Sequence, residues 1–183
     1  MIDLRREQPE DAAAIRETLR AAFGRAAEAD LVDALRDAGA EVFSLVAVEV
    51  PDTTPDEAPD GGAGRVVGYV LLTRVTVTAD DGGQGSLLGL APVAVAPRWQ
   101  GQGIGMMLVE AALEQMRGGA DTAVCVLGDP LFYSRFGFEP ARLWGLRYEQ
   151  PGHEEGFMAV ELSAGGLAGI HGVVRFRPEF AGV

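Results

Sequence analysis

The most constraining stretch of this 183-residue chain runs from Leu90 to Gly119, LAPVAVAPRWQGQGIGMMLVEAALEQMRGG. Leu90 to Ala96 is an apolar run of β-branched and small residues and reads as a buried strand. Pro97 ends it, because proline has no N–H for a sheet ladder. A short turn over residues 98–103 then leads straight into a helix starting at Ile104. Ile104, Met107/Leu108, Ala111/Ala112 and Met116 keep helical spacing, and Gly118-Gly119 is the stop. Met106, Val109 and Leu113 make a second side of the helix apolar, so burial against more than one neighbour is expected. A helix leaving the end of a strand must cross back to a parallel neighbour, which sets an α/β fold with a mixed sheet.

The chemistry of the turn follows from what its residues lack. Gly101, Gly103 and Gly105 have no Cβ, so a ligand can approach the backbone closely. The first N–H groups of the helix have no intrahelical acceptor and sit at the positive end of its dipole, which suits a phosphate. The dinucleotide pattern G-x-G-x-x-G fails, because the third glycine comes one residue early. A Walker loop fails too, because it needs a lysine and all fifteen basic residues here are arginine. The same absence of lysine excludes Schiff-base chemistry.

Charge and cysteine content narrow the function further. A formal charge of −12 repels nucleic acid, whose binding rests on neutralised phosphates. It also repels a polyphosphate cofactor at long range, so such a site must work through local amide dipoles and nearby arginines. The single cysteine, Cys125, excludes an internal disulfide, and no Cys/His spacing suggests a metal. With a polar N-terminus and no apolar stretch long enough to span a bilayer, a cytoplasmic protein is expected, with no membrane partner. Nearly half of the residues are hydrophobic, enough for one compact domain over residues 1–183.

Around that centre the remaining elements are legible. Ile2 and Leu4 mark a first strand. Pro9-Glu10-Asp11 opens a helix closed by Gly24, and a second helix covers about residues 26–38. Val42–Val50 and Val66–Val77 read as strands flanking a polar stretch, residues 51–65, expected to be a mobile loop. Residues 78–86 read as a glycine-rich turn, so strands two to four form an antiparallel meander. Thr122–Leu127 is the parallel neighbour that the crossover helix requires. Asp129 as N-cap, Pro130 at the first helical position and Gly137 at the stop punctuate a helix of about two turns. Alternation at Met158, Val160 and Leu162 gives a strand, and residues 173–176 a further one. His153 and His171 lie in loops without a companion that would make either a base.

Gln100-x-x-Gly103-x-Gly105, after an apolar strand and before a long helix, resembles the GNAT superfamily of acyl-CoA-dependent N-acyltransferases. GDPLFYSRFGFEPA, GFMAVEL and AGIHGVVRFRPEF extend the resemblance to the YhbS-like branch, over nearly the whole chain. The resemblance implies a mostly antiparallel central sheet flanked by helices, whose two parallel strands splay to admit the pantetheine arm of coenzyme A. It implies acetyl-CoA as cosubstrate, with contacts from Val93, Ala94, Val95, Gln100, Gly101, Gln102, Gly103, Ile104 and Gly105. Tyr133, in a Tyr-x-x-x-Gly-Phe context, corresponds to the tyrosine that protonates the leaving thiolate. Phe132 stands where a second tyrosine is common in that branch, which removes a hydroxyl. Phe23-Gly24-Arg25 is expected to border the acceptor pocket, and a main-chain N–H on a bulge around Val93–Val95 to hold the oxyanion.

The reaction so implied is direct acetyl transfer to a primary amine, small or peptidic, with no metal. A non-catalytic CoA-binding module on the same fold is the alternative. The sequence leaves the base open among Glu41, Glu49, Asp129 and Glu161, and the phosphate cation open between Arg98 and Arg135. Monomer and homodimer are equally open.

Overall fold

The computed structural model describes residues 1–50 and 64–183. In chain order the strands are β1 (Ile2–Arg6), β2 (Glu41–Glu49), β3 (Arg65–Thr78), β4 (Gln84–Val95), β5 (Ala123–Leu127), β6 (Glu139–Pro140), β7 (Leu146–Tyr148), β8 (Phe157–Glu161) and β9 (Gly172–Arg175). The helices are α1 (Ala12–Phe23), α2 (Ala27–Asp37), α3 (Ile104–Met116) and the single turn α4 (Pro130–Tyr133), which continues as a 3-10 turn to Phe136. The sheet runs β1-β2-β3-β4-β5-β8-β6, with β9 added to the far end of β3 and β7 beyond it. Most pairings are antiparallel; β4–β5 and β7–β9 are parallel. Among the described residues no helix is long and apolar enough to cross a membrane.

The helices cover both faces, which is why the central strands read as nearly unbroken apolar runs. On one face α1 and α2 bury Ile15, Leu19, Leu31 and Leu35 against β2 to β4. Arg16 of α1 pairs with Asp30 and Asp33 of α2, fixing the two helices side by side. On the other face α3 buries Ile104, Leu108, Ala112 and Leu113 against Val70, Leu72 and Leu90. Each such fully buried aliphatic side chain is worth about 1.5–3 kcal/mol. The second apolar side of α3 is only partly buried, Val109 and Leu113 going in while Met106 faces outward, and on the first side Met107 is exposed, so Leu108 alone fills that position in the core.

Three boundaries move relative to the sequence reading. The organising strand begins at Gln84, not Leu90, because β3 and β4 are long enough to pair as far as Thr78↔Gln84. The glycine-rich turn is therefore only residues 79–83. The bulge lies at Ala91-Pro92, where two residues of β4 stand opposite Leu71, rather than at Val93–Val95, which keep regular register with Gly68–Val70. Of the expected mobile loop, Arg65 belongs to β3, and residues 51–63 lie outside the described residues.

Candidate active site

Strands β4 and β5 pair only at Leu88↔Val124 and Gly89↔Cys125. Beyond that point β4 continues against β3 to Val95, and β5 continues against β8 to Leu127, so their facing edges separate into a slot. The phase of β4 decides which groups face it. Ala96 N–H donates to Val67 O on the β3 side (2.8 Å). Main-chain direction alternates along a strand, so Ala94 also turns toward β3 while Val93 and Val95 turn N–H and C=O toward the slot. Buried edge groups of this kind need partners, and an extended ligand supplies them.

The glycine turn lies at the mouth of the slot. Gly101 and Gly103 have φ of 73° and 83°, a left-handed conformation that strains any residue with a Cβ. Both glutamine side chains brace the turn: Gln100 Nε2 donates to Val95 O (2.9 Å) and Gln102 Nε2 to Arg98 O (3.1 Å). The first bond of α3 runs from Met107 N–H to Gly103 O (3.0 Å). The N–H groups of residues 101–106 have no acceptor among the described residues. Unpartnered amides at the positive end of a 13-residue helix are the kind of group that suits an anion. A cavity of about 300 Å³ opens there, walled by Trp99, Gly103, Gly105, Phe132 and Arg135.

At the inner end of the slot a second cavity, about 270 Å³, is bounded by Leu90–Val93, Leu127 and Tyr133. Its outer wall comes from the α1–α2 corner (Phe23, Arg25, Glu28) and from Tyr148, Phe176 and Phe180.

A family model for the acetyltransferase (GNAT) domain matches residues 56–140. The uncharacterized N-acetyltransferase YhbS of Escherichia coli (strain K12) is 38% identical over 177 residues, 97% of each chain. The chain belongs to the GNAT acetyltransferases. Among solved structures, the E. coli GNAT family N-acetyltransferase (YhbS) in complex with CoA superposes with a TM-score of 0.84. It is 36% identical, over 98% of this chain and 91% of that one. A GNAT family acetyltransferase from Brucella melitensis in complex with acetyl-CoA gives 0.74 at 31% identity, over 98% of both chains.

Within this GNAT chain Tyr133 sits where β5 hands over to α4. Asp129 caps that turn by accepting from Leu131 N–H (2.9 Å), as its sequence signature predicts. The Tyr133 ring is 9% exposed and is gripped edge-on by Phe132 (4.9 Å between centroids) and Phe138 (5.5 Å). Gly128 is required beneath it: a Cβ there would lie 2.3 Å from Tyr133 Cε2. Burial pushes the phenol up to about 12, so it stays protonated throughout the working pH range.

The other expected contacts divide. Val95, Gln100, Gly101, Gly103, Ile104 and Gly105 wall the glycine-turn cavity and Val93 the inner one. Gln102 lines neither, its side chain turning back to Arg98 O, and Ala94 does not reach either, since its main chain faces β3 and its side chain lies in the core under α1 and α2. Of the two arginines left open, Arg135 reaches the turn and has no carboxylate partner among the described residues. Arg98 instead lies beside the Trp99 ring at 6.0 Å. Cys125 is fully buried, and burial pushes its thiol up to about 12, which excludes a thiolate nucleophile.

None of the four carboxylates considered from sequence lines the inner cavity. Glu41 shares the Tyr69 hydroxyl with Glu7, and Glu161 accepts from Gly165 and Leu167 N–H. Glu49 pairs with Ile2 at the β1 edge, and Asp129 is a cap. The carboxylate that does line it, Glu28, is 3% exposed and held by Arg25 through Nε (2.9 Å to Oε1, 3.2 Å to Oε2) and Nη2. An arginine three residues before a glutamate was visible in the sequence; that Glu28 is buried while Arg25 stays exposed was not.

Proposed function

We propose that the protein moves an acetyl group from acetyl-CoA to a primary amine by direct attack, within a single domain. The observation carrying this reading is the coincidence of three things along one edge: free amides at 101–106, an unpaired β4 edge at Val93, and a buried phenol at Tyr133.

In this reading the 101–106 amides hold the diphosphate and Arg135 a phosphate of the same cosubstrate. The slot edge of Val93 aligns the pantetheine arm as an added strand, which brings the thioester under Tyr133. An alkylammonium has a pKa of about 10, so it sheds one proton before its nitrogen can attack. As the C–N bond forms, Val93 N–H donates to the developing oxyanion. As the C–S bond breaks, Tyr133 donates its proton to the sulfur and is reprotonated by the proton the nitrogen loses. A phenol near 12 is a poor donor to a thiolate in water. In the slot, burial disfavours the thiolate as well as the phenolate, so the two affinities draw together. The cavity beside Tyr133 supports transfer over a purely regulatory CoA-binding role, because it leaves room for a second substrate.

The test is calorimetric titration with acetyl-CoA, followed by release of free CoA thiol in the presence of a panel of amines. Saturable binding and amine-dependent thiol release are expected. No uptake of acetyl-CoA or CoA overturns the reading.

A further inference from the structure

We infer that the outer edge of β1 docks a second copy of this chain, in a weak two-fold dimer whose two β1 strands pair antiparallel about Leu4. The contact is independent of the acetyl-transfer reading. Strand β1 closes one end of the sheet and, among the described residues, pairs only with β2. Neither helix layer overhangs it, since α1 packs chiefly on β3 and β4, and α3 on β2, β3 and β4.

The hydrogen-bond phase of β1 decides which main-chain groups are free. Met1 N donates to Val50 O (3.1 Å) and Val50 N–H donates to Met1 O (2.8 Å), so these two residues form a bonded pair. The register then runs without a break from Ile2↔Glu49 to Arg6↔Leu45. Bonded and non-bonded pairs alternate along an antiparallel ladder. Asp3 and Arg5 therefore turn N–H and C=O to β2, while Ile2, Leu4 and Arg6 turn theirs outward. Such an edge is a template for another strand. Arg6 O already accepts from Arg5 Nη1 (3.1 Å) and keeps a second lone pair.

Charge selects the partner and the register. Only a register that sets outward residues opposite outward residues bonds this edge. Centred on Leu4, the pairing brings Ile2 opposite the partner's Arg6 and Leu4 opposite the partner's Leu4, so every outward group from 2 to 6 is used. Asp3 then stands opposite the partner's Arg5, at a non-bonded position where Cα atoms approach to about 4.5 Å, and the two-fold repeats the pair. Moving the centre to Asp3 sets Asp3 against the partner's Asp3, and moving it to Arg5 sets Arg5 against the partner's Arg5. Like charges directly opposite are destabilising, so Leu4 is the favoured centre.

Both charges are available for this pairing. Asp3 is exposed and has no ion-pair partner among the described residues. Arg5 holds Asp11 through Nη1 (2.6 Å) and Nη2 (2.8 Å), which leaves its Nε–H and one Nη2–H for a second carboxylate. On the other face Arg6, whose guanidinium lies over the Phe43 ring (4.1 Å), offers its aliphatic stem to the partner's Ile2. A row of one sign would guard the edge against a second copy, whereas Asp3 and Arg5 complement themselves. A strand of five residues makes a small contact, so the dimer is reversible. Strands β2 and β3 separate β1 from β4, so the slot of each copy stays open.

The test is sedimentation velocity of the full chain from about 5 to 500 μM, with amide hydrogen exchange followed by NMR over the same range. The average mass is expected to climb toward two copies within that window. With about nine-tenths of the chain paired, exchange at Leu4 and Arg6 slows about tenfold, while Asp3 and Arg5, already bonded to β2, do not change. Asp3→Arg sets like charges across the edge and should raise the dimer Kd at least about tenfold, with Tm at low concentration within about 2 °C of the parent. Arg5→Asp should weaken the dimer likewise. An equimolar mixture of the two variants restores opposite signs and should associate as the parent does. Should Arg5→Asp fail to fold without its Asp11 pair, Asp3→Arg and the exchange pattern decide alone.

A chain that stays single at the top of that range overturns the inference. Association that Asp3→Arg leaves unchanged overturns it too, as do folded variants that remain apart when mixed. Slow exchange at Leu4 and Arg6 at every concentration would place the partner of this edge within one copy and equally overturns it.

Discussion

Replacing Gly128 by alanine perturbs Tyr133 without touching a functional atom. Gly128 is not among the residues with positive φ, so the effect of alanine there follows from its steric contacts. The added Cβ would lie 2.3 Å from Cε2 and 3.0 Å from Cδ2 of Tyr133. Ordinary carbon contacts begin nearly 3.5 Å apart, so the ring must withdraw by about 1 Å. It cannot do so freely, because Phe132 and Phe138 hold it edge-on from either side.

Overpacking of this kind costs about 1–3 kcal/mol, which for a chain of this size lowers Tm by about 4–8 °C at the middle of that range. Displacing a catalytic group by about 1 Å costs about 100-fold in turnover. Acetyl-CoA affinity should hold within about twofold, since the 101–106 amides are remote from Gly128 in the sequence and wall a separate cavity. The assay is kcat for acetyl transfer, with Tm by calorimetry, in Gly128→Ala, Tyr133→Phe and the double variant. Tyr133→Phe removes the hydroxyl and keeps the ring, so the double variant should be no slower than Tyr133→Phe by more than about twofold. Multiplicative losses, or a Gly128→Ala enzyme with parental turnover, would refute the assignment of Tyr133 as the proton donor.

Three further outcomes follow from the same geometry. Gly103→Ala meets no neighbour within 4 Å but must hold φ at 83°, which costs about 1–2 kcal/mol and should weaken acetyl-CoA binding measured by calorimetry. Arg135→Gln should raise the acetyl-CoA Kd about tenfold and flatten its dependence on salt; a Kd unchanged at low salt removes Arg135 from the phosphate site. Glu41 is held above the ordinary carboxylate range, first by burial and then by the Glu7 charge beside the shared Tyr69 hydroxyl. Its folded pKa being raised, the stability linked to its protonated form is present below about pH 4 and is lost as pH rises through the folded value. Glu41→Gln should therefore melt about 2 °C above the parent at pH 7, with the gap closing toward pH 4; a gap independent of pH would refute the linkage.

The fold was legible wherever local chemistry and tertiary demand coincide. Strand alternation, the Pro97 stop, the Asp129-Pro130 cap and the Gly137 terminus each concern neighbours a few residues apart, and each appears where its residues put it. The β4 start was misplaced because Gln84-Gly85-Ser86 is small and polar and becomes a strand only through pairing with Thr76–Thr78. The unpartnered amides of the glycine turn were legible, since the first N–H groups of a helix lack intrahelical acceptors whatever lies far away. The roles of Gln100 and Gln102 were not: their side chains close on Val95 O and Arg98 O, contacts that exist only once the turn is folded.

What the sequence determined by itself is the crossover from β4 through the glycine turn and α3 to β5, because strand period, glycine conformation and helix start are properties of adjacent residues. What only the tertiary structure decided is the acceptor side of the site. The α1–α2 corner with Phe23 and Arg25 was expected at this pocket from the resemblance, but Tyr148, Phe176 and Phe180 lie more than a hundred residues away and carry no shared local signal with it. They meet around one cavity only in the folded chain, and burial, not residue type, sets Glu28 apart from the other carboxylates as the one that lines it.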